Sequence, residues 1–525
     1  MDKIIECINN NLWDAAADKL LEYVDKYGIS VETAILGATI CEHFNDYENM
    51  YSYIEMGIQF EPENYELYLL LGNYYAVSNV NKAYICYENA LKLCTIDEDR
   101  AYISGIIDEL CSYGMVRVNP FSIILLNANN KNDIEELNKI IEAEDSNSDI
   151  LIVDDNVEIM PNMIFELRLG LYEDEAIGVA GVVTNALEGE LANSVLKAQI
   201  LEDATDIKDA FAFAAKHNIP DEHAIEYKVW LAGTAIMIKR DVFCEGVEFD
   251  KRYDCYEVAV NDMCMQNIHR GRKNVLCHNS FAYRHSRNDN KTLNDINMKK
   301  FAEKWGTNIS YYAGVRSDLI SFISNDCEEA IHVLEVGCGT GSTIGNIRYK
   351  YPNSEVYGIE IVERIADIGK ELYDISCGNI ETMELKYEDN YFDYIIFGDV
   401  LEHLTYPEVI LKKLSQYLKK GGAIIASIPN LMNAEVIYNL LRGDFTYEPS
   451  GIRDRTHLRF FTYNEILRMF DRCGYDVSDI RVSHMIGHRT CDYGDFFDKI
   501  LALPGVADRQ YFDAFQYLLR AEVRG

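Results

Sequence analysis

A chain of 525 residues exceeds what one hydrophobic core supports, and roughly 150 residues per domain gives three or four units. Its composition, 48% hydrophobic and 26% charged with 9 prolines, excludes a disordered or collagen-like chain, and no apolar run reaches the length of about 18 residues that a membrane span needs. Asp and Glu total 86 against 49 Lys and Arg; the net charge of −37 repels phosphate backbones, so no nucleic-acid partner is expected, and the densest basic stretch is only 268–273 (IHRGRK).

The first residues turn acidic at Asp2 and Glu6 before any apolar stretch long enough for a signal peptide. The 14 cysteines, from Cys7 to Cys491, are scattered singly with no C-x-x-C pair, so reduced thiols and a cytoplasmic location are expected. Over residues 1–117 apolar side chains recur at three and four, with turns at Lys26-Tyr27-Gly28, Asn45-Asp46 and 61–64, which reads as all helix. Tyr68, Leu71, Gly72 and Tyr75, followed by Ala83 and Ala90, resemble a tetratricopeptide repeat, with a weaker copy at Leu36-Gly37, Gly57 and Pro62. The turn before Ala83 is one residue shorter than that family's pattern, and an ordinary helical bundle would show the same periodicity. The resemblance implies a concave surface for a protein partner or for self-association.

A middle unit, 118–306, opens with a buried-strand signature at 121–127, an amphipathic helix at 134–143 and a second strand at 150–153 that ends in Asp154-Asp155-Asn156. A carboxylate pair at the carboxyl end of a strand suits a divalent metal on a nucleotide's phosphates, although a strand-end turn explains Asp-Asp equally well. The order ILIVDDNVEIMPNMI, IGVAGVVTNA, WLAGTAIMIKRDVF, Asp262, His285 and FAEKWG resembles inverting glycosyltransferases of the GT-A fold. Three departures stand out. The strand–helix–strand block that grips the nucleotide in that family is missing. Asn156 replaces its last metal-binding aspartate, and Ala259-Val260 replace the acidic pair that supplies its base. The resemblance therefore implies a degenerate fold that keeps an acceptor side; Asp154 and Asp155 would hold Mg or Mn only if the domain were active.

In the last unit, 307–525, residues 311–323 read as an amphipathic helix leading to an apolar strand that breaks into Gly337, Gly339 and Gly341. Glycines there permit a tight turn and close approach to a ligand. A helix at 342–351 and a second strand follow, the latter ending in Glu360, a carboxylate placed to accept both hydroxyls of a ribose. VLEVGCGTG, with Glu335 on the strand, resembles the first motif of class I S-adenosylmethionine-dependent methyltransferases. Gly378-Asn379-Ile380, FDYIIFGDVLEHL (392–404), LKKGG (418–422), IASIPN (425–430) and a final strand at 518–523 continue the resemblance across the domain.

That resemblance implies S-adenosyl-L-methionine as cofactor and Glu335, Gly337, Gly339, Gly341, Glu360, Asn379, Ile380 and Asp399 as its site. Glu335 would hold the ammonium, and Asn379 stands where an aspartate more often faces the adenine amine. The sulfonium centre is held by electrostatics and aromatic faces, so no metal is expected for methyl transfer. The string GIRDRTHLRFFT (451–462) is similar to one in methyltransferases fused to or encoded beside glycan-assembly enzymes. His457, His403 and Asp399 are the candidate catalytic groups. As a catalytic group His457 would have Asp454 to fix its tautomer and Arg459 to orient an acceptor, and the alternative is a helix-start residue that caps or stacks; for His403 and Glu402 the alternatives are packing below the cofactor and facing solvent. The fold class is thus multidomain: an all-α helical repeat, an α/β GT-A-like domain and an α/β Rossmann-like methyltransferase with a mostly parallel sheet. The expected activity is O-methylation of a sugar on a glycan or glycoprotein acceptor. A bifunctional glycosyltransferase and methyltransferase, or a methyltransferase of proteins or small metabolites on a non-catalytic platform, are the alternatives.

Overall fold

The N-terminal region folds into helices at Asp2–Asn9, Trp13–Tyr27, Val31–Phe44, Tyr47–Phe60, Tyr65–Ala76, Val80–Leu93 and Asp97–Ser112. Asp46, Asn64 and Asn79 each accept a backbone N–H of the following helix, which satisfies donors that a helix start leaves free. Gly72 sets how closely one pair packs, because a Cβ there would lie 2.3 Å from the Tyr87 ring. The coordinates are a computed structural model, and they describe residues 1–127, 132–186, 199–204, 209–285, 291–306 and 309–524.

The chain divides into two compact units, Met1–Asn308 and Ile309–Gly525. The change from helix to strand expected at 117/118 falls inside the first unit, where the helices join a mixed sheet. Tyr68 meets Phe165 edge-on with ring centroids 5.1 Å apart, Asn162 donates to the Tyr68 hydroxyl at 3.1 Å, and Lys82 pairs with Glu173 at 2.5 Å. The division expected at 306/307 lies against residues 307 and 308, outside the described residues.

The sheet of the first unit comprises β1 (Phe121–Leu125), β2 (Asp149–Val153), β3 (Val157–Glu158), β4 (Ile177–Thr184), β5 (Ile225–Tyr227), β6 (Ala235–Ile238) and β7 (Lys273–Arg284). Its order is β1-β2-β6-β4-β7-β3, with β5 also paired to β7. β2, β4 and β6 are buried along their whole length, as continuous apolar runs covered on both faces should be.

Asp154 follows β2, but its carboxylate is not available as a metal ligand. It accepts from the guanidinium of Arg284 at the end of β7, and its other oxygen accepts the Asp155 N–H at 2.8 Å. Asn156 Oδ1 takes the Arg284 Nε–H at 3.2 Å. A guanidinium from the chain itself thus supplies positive charge where the Asp154-Asp155 pair would hold Mg or Mn only if the domain were active. Asp262, the acid retained beside Ala259-Val260, is saturated as well. It accepts from Tyr253, Gln266, Lys304 and Trp305 at 2.7–3.0 Å and binds the closing FAEKWG segment to its helix.

In the second unit a sheet runs in the order β10-β9-β8-β11-β12-β14-β13, from β8 (His332–Val336), β9 (Glu355–Glu360), β10 (Asp374–Cys377), β11 (Phe392–Gly398), β12 (Leu418–Pro429), β13 (Tyr475–Ser483) and β14 (Gln516–Val523). The pairings from β10 to β12 are parallel, and β14 is antiparallel to both β12 and β13. Leu334, Ile395, Phe397, Ile424 and Ala426 line its core. The chain steps outward from β8 to β10 and then crosses back to β11, so the strand order reverses between β8 and β11. Their carboxyl ends diverge there, and ligands of open α/β sheets bind in that crevice. No described helix is long and apolar enough to cross a membrane.

The Arg284 pair yields a stability test. Arg284→Met should remove the guanidinium from the buried Asp154 carboxylate and cost about 3–5 kcal/mol, the usual scale for breaking one side of a buried ion pair. Denaturant unfolding that assigns less than about 1 kcal/mol to this change would mean that Asp154 is compensated by other groups.

Candidate active site

The turn after β8 is built on left-handed backbone: Gly337, Gly339 and Gly341 have φ of +74°, +55° and +85°. Side chains are excluded there by the protein's own atoms. A Cβ on Gly339 would lie 2.3 Å from the Tyr312 carbonyl oxygen, and one on Gly337 2.5 Å from Val400. The Thr340 N–H donates to that Tyr312 carbonyl at 3.0 Å. Arg316 N, which a continuous helix would aim at the same carbonyl, donates instead to Thr343 Oγ1 at 3.2 Å. The helix expected over 311–323 is therefore broken into Ile309–Tyr312 and Ser317–Ile320.

Glu360 closes the turn from the other side. One carboxylate oxygen accepts the Gly339 N–H at 2.9 Å and the other the Val362 N–H at 2.8 Å, with the side chain 4% exposed. Each oxygen retains acceptor capacity, so a diol can still bind. Glu335, on β8, is 3% exposed, and its Oε2 has no hydrogen-bond partner among the described residues. Burial pushes its carboxyl up to about 8, against the lowering influence of Thr343 and Arg316. A buried orphan oxygen in a cleft is a place for a missing donor, and an ammonium supplies both the donor and the charge that would ionise it. These residues fit the cofactor that the sequence motifs imply. Asn379 Oδ1 accepts the Glu381 N–H at 2.8 Å, which fixes the turn after β10, and Ile380 is buried beneath it.

Asp399 follows β11 with φ +55°, a strained setting for a residue with a side chain. Ser427 Oγ donates to one of its oxygens at 2.8 Å and Arg316 to the other at 2.6 Å. Those two donors hold the carboxylate of Asp399, a catalytic candidate by sequence, at the end of β11. Arg316 itself escaped the sequence reading, because it sat in a segment read only for amphipathicity.

Glu402 does not face solvent: it is 1% exposed, and neither carboxylate oxygen has a hydrogen-bond partner among the described residues. Burial, and then the charge of Asp399, holds its carboxyl well above the usual range. Its backbone carbonyl accepts the N–H groups of Leu458 and Arg459 at 2.9 and 3.0 Å, which brings the 451–462 string to the end of β11. His457 lies in an irregular stretch before the helix Tyr463–Arg472, not at a helix start. Its Nε2 lies 3.9 Å from Glu402 Oε1, and its ring meets His403 edge-on at 4.7 Å between centroids.

The expected neighbours of His457 act elsewhere. Asp454 accepts from the backbone N–H and hydroxyl of Thr456 at 2.7 and 2.6 Å. The His457 tautomer is fixed instead by the Ile452 carbonyl, 3.1 Å from Nδ1, which leaves Nε2 as an acceptor toward Glu402. Burial and the neighbouring His403 hold its imidazole below the ordinary value. Arg459 donates to the backbone carbonyls of Leu458 and Thr405. His403, placed by sequence under the cofactor, has Nδ1 within 3.3 Å of the Thr456 carbonyl and sits beside His457.

Comparison with known proteins finds likeness to methyltransferases. A family model described as a methyltransferase domain matches residues 309–480, so the second unit carries a methyltransferase domain. Demethylmenaquinone methyltransferases of Staphylococcus aureus strains JH9 and Newman are 36% identical over 97 residues, 18% of this chain; the chain spans 40% of their length. Similar solved structures include a putative methyltransferase of Bacillus halodurans (16% identity, TM-score 0.28, 40% of this chain and 98% of that one). A SAM-dependent methyltransferase of Archaeoglobus fulgidus is also similar (16% identity, TM-score 0.30, 43% and 98%).

Two cofactor measurements follow. Glu360→Ala should weaken S-adenosylmethionine binding by about 1.5–3 kcal/mol, the scale of charge-assisted hydrogen bonds; wild-type affinity by calorimetry would remove Glu360 from the site. Because Glu335 is raised to about 8, a cation binding beside it must first displace a proton. Affinity should therefore rise by up to about tenfold per unit as the pH is raised from about 6 to about 7.5, below the range where an α-amine loses its charge. The rise should be absent in Glu335→Gln, and an equal rise in both proteins would place the ammonium elsewhere.

Proposed function

We propose that this chain transfers the methyl group of S-adenosylmethionine to a hydroxyl of a saccharide carried on a surface glycan or a glycoprotein. The observation that carries the methyl-transfer reading is the pair of buried carboxyls at the ends of adjacent parallel strands, Glu335 with an orphaned oxygen and Glu360 bonded to the glycine turn. When bound, the cofactor supplies an electrophilic methyl group. Glu335 holds its ammonium, Glu360 its ribose hydroxyls and Asn379 its adenine amine. His457, through the Nε2 that faces Glu402, takes the proton of the acceptor hydroxyl or supports the group that does.

The sugar acceptor is supported by the GIRDRTHLRFFT resemblance and by the glycosyltransferase-like order of the first unit. In this reading the GT-A-like region is an acceptor platform that no longer turns over a sugar donor, and the Asp154–Arg284 pair supports that loss. The helices at the N-terminus, with Gly72 packed on Tyr87, support a tetratricopeptide-like surface for a protein partner. Fourteen free thiols suit a cytoplasmic setting. A small-metabolite acceptor is the second reading, favoured by the match to demethylmenaquinone methyltransferases.

His457→Ala should leave cofactor affinity nearly unchanged and cut turnover by about 10²–10⁴-fold, the usual contribution of a general base. Retention of more than about a tenth of wild-type turnover would put the proton acceptor elsewhere. Uridine or thymidine diphospho-sugars should not bind to the full chain, with or without Mn²⁺. Turnover of any such donor would replace the platform reading with the bifunctional one.

A further inference from the structure

We propose that Glu402, His403 and His457 form a binding site for a divalent first-row cation at the mouth of the methyltransferase crevice. The proposal rests on the methyl-transfer reading for the purpose it assigns to the ion, but not for the site itself. One donor atom from each of the three side chains lies within 4.8 Å of the others, a juxtaposition made by the end of β11 and the 451–462 string. An exposed cluster of this kind would carry little weight. Here the carboxylate is 1% exposed and both of its oxygens lack a partner among the described residues, while the His457 Nε2 aimed at it is the acceptor nitrogen left by the Ile452 hydrogen bond. A buried carboxyl with no partner is costly, and at 3.9 Å the His457 Nε2 is too distant to form a hydrogen bond with it. A cation between them satisfies both.

Two imidazoles and one carboxylate suit borderline cations such as Mn²⁺, Fe²⁺ or Zn²⁺ better than Ca²⁺ or Mg²⁺. Donors at about 2.1 Å around a tetrahedral ion lie about 3.4 Å apart, so the side chains need close in by about an ångström. Three protein ligands leave one position open on a four-coordinate ion and two when it expands to five-coordinate, which admits two exogenous oxygens. Two vicinal hydroxyls of a sugar ring are a matching chelate, so the site favours acceptors with adjacent hydroxyls over isolated alcohols. The acceptor hydroxyl bound there becomes more acidic. Its oxygen forms the bond to the methyl carbon as the sulfur–carbon bond breaks, and its proton passes to water. His457 then serves as a ligand rather than as the base itself, which departs from the metal-free transfer expected from sequence.

The test uses the full chain, stripped with a chelator and titrated with MnCl₂ or ZnCl₂ alone. Binding is read by calorimetry and elemental analysis, S-adenosylmethionine affinity is measured on the same samples, and methyl transfer is assayed with vicinal-diol saccharides. The wild type should bind one equivalent. Glu402→Gln, a near-isosteric change, and His457→Asn should each weaken that binding more than about 100-fold, beyond the effect typical of an outer-shell partner, with cofactor affinity kept within a few fold. Failure of the wild type to take up metal, equal uptake by both variants, or full methyl transfer in excess chelator would overturn the proposal. Metal uptake without methyl transfer to any diol would leave the site standing and overturn the function assigned to it.

Discussion

The left-handed turn after β8 is the constraint on which the second unit depends. Gly339 can present its N–H to Glu360 only because no side chain separates it from the Tyr312 carbonyl. The Thr340 N–H takes up the Tyr312 carbonyl, the helix ends there, and Arg316 reaches Asp399. Arg316 and Ser427 in turn hold Asp399 in a left-handed conformation, so the chain leaves β11 at the angle that buries Glu402. A single backbone geometry thus sets three carboxylates at the mouth of one crevice.

Those three carboxylates and Glu335 differ in what surrounds them, and the differences sort their roles. Asp399 is ion-paired, Glu360 is bonded to two backbone N–H groups, and Glu335 and Glu402 each keep oxygens without donors. Leaving a buried acceptor unsatisfied costs about 1–3 kcal/mol, and proteins keep such features chiefly at functional sites. The first unit shows the opposite treatment: Asp154 and Asp262, which the glycosyltransferase resemblance marks as chemical, are fully supplied with donors by the chain. Glu335 and Glu402 of the second unit have no comparable supply of donors among the described residues.

Much of the cofactor side was legible in the sequence because spacing along consecutive elements encodes it. Glycines after an apolar strand, with an acid about twenty residues on, require only local patterns to be recognised. The parts that escaped depend on distant or backbone partners. Arg284 meets Asp154 across 130 positions, and nothing near either residue signals the other. Glu402 follows a strand end where no periodicity tells inside from outside. Asp454 looked like a partner for His457 by proximity, but an acid two residues before Thr456 closes a turn with it more easily. The carbonyl that does fix the histidine, Ile452, carries no sequence identity at all.

The crevice closed by the glycine turn thus adjoins a donor-poor carboxyl and two histidines, where an acceptor would react. The most direct test is mass spectrometry of the glycans and glycoproteins of cells with and without this chain. The account predicts that one species loses the mass of a methylene per saccharide unit in the deletion strain, and that the full chain with S-adenosylmethionine restores it in vitro. Unchanged saccharide masses, with the methyl difference found on a quinone or another small metabolite, would contradict it.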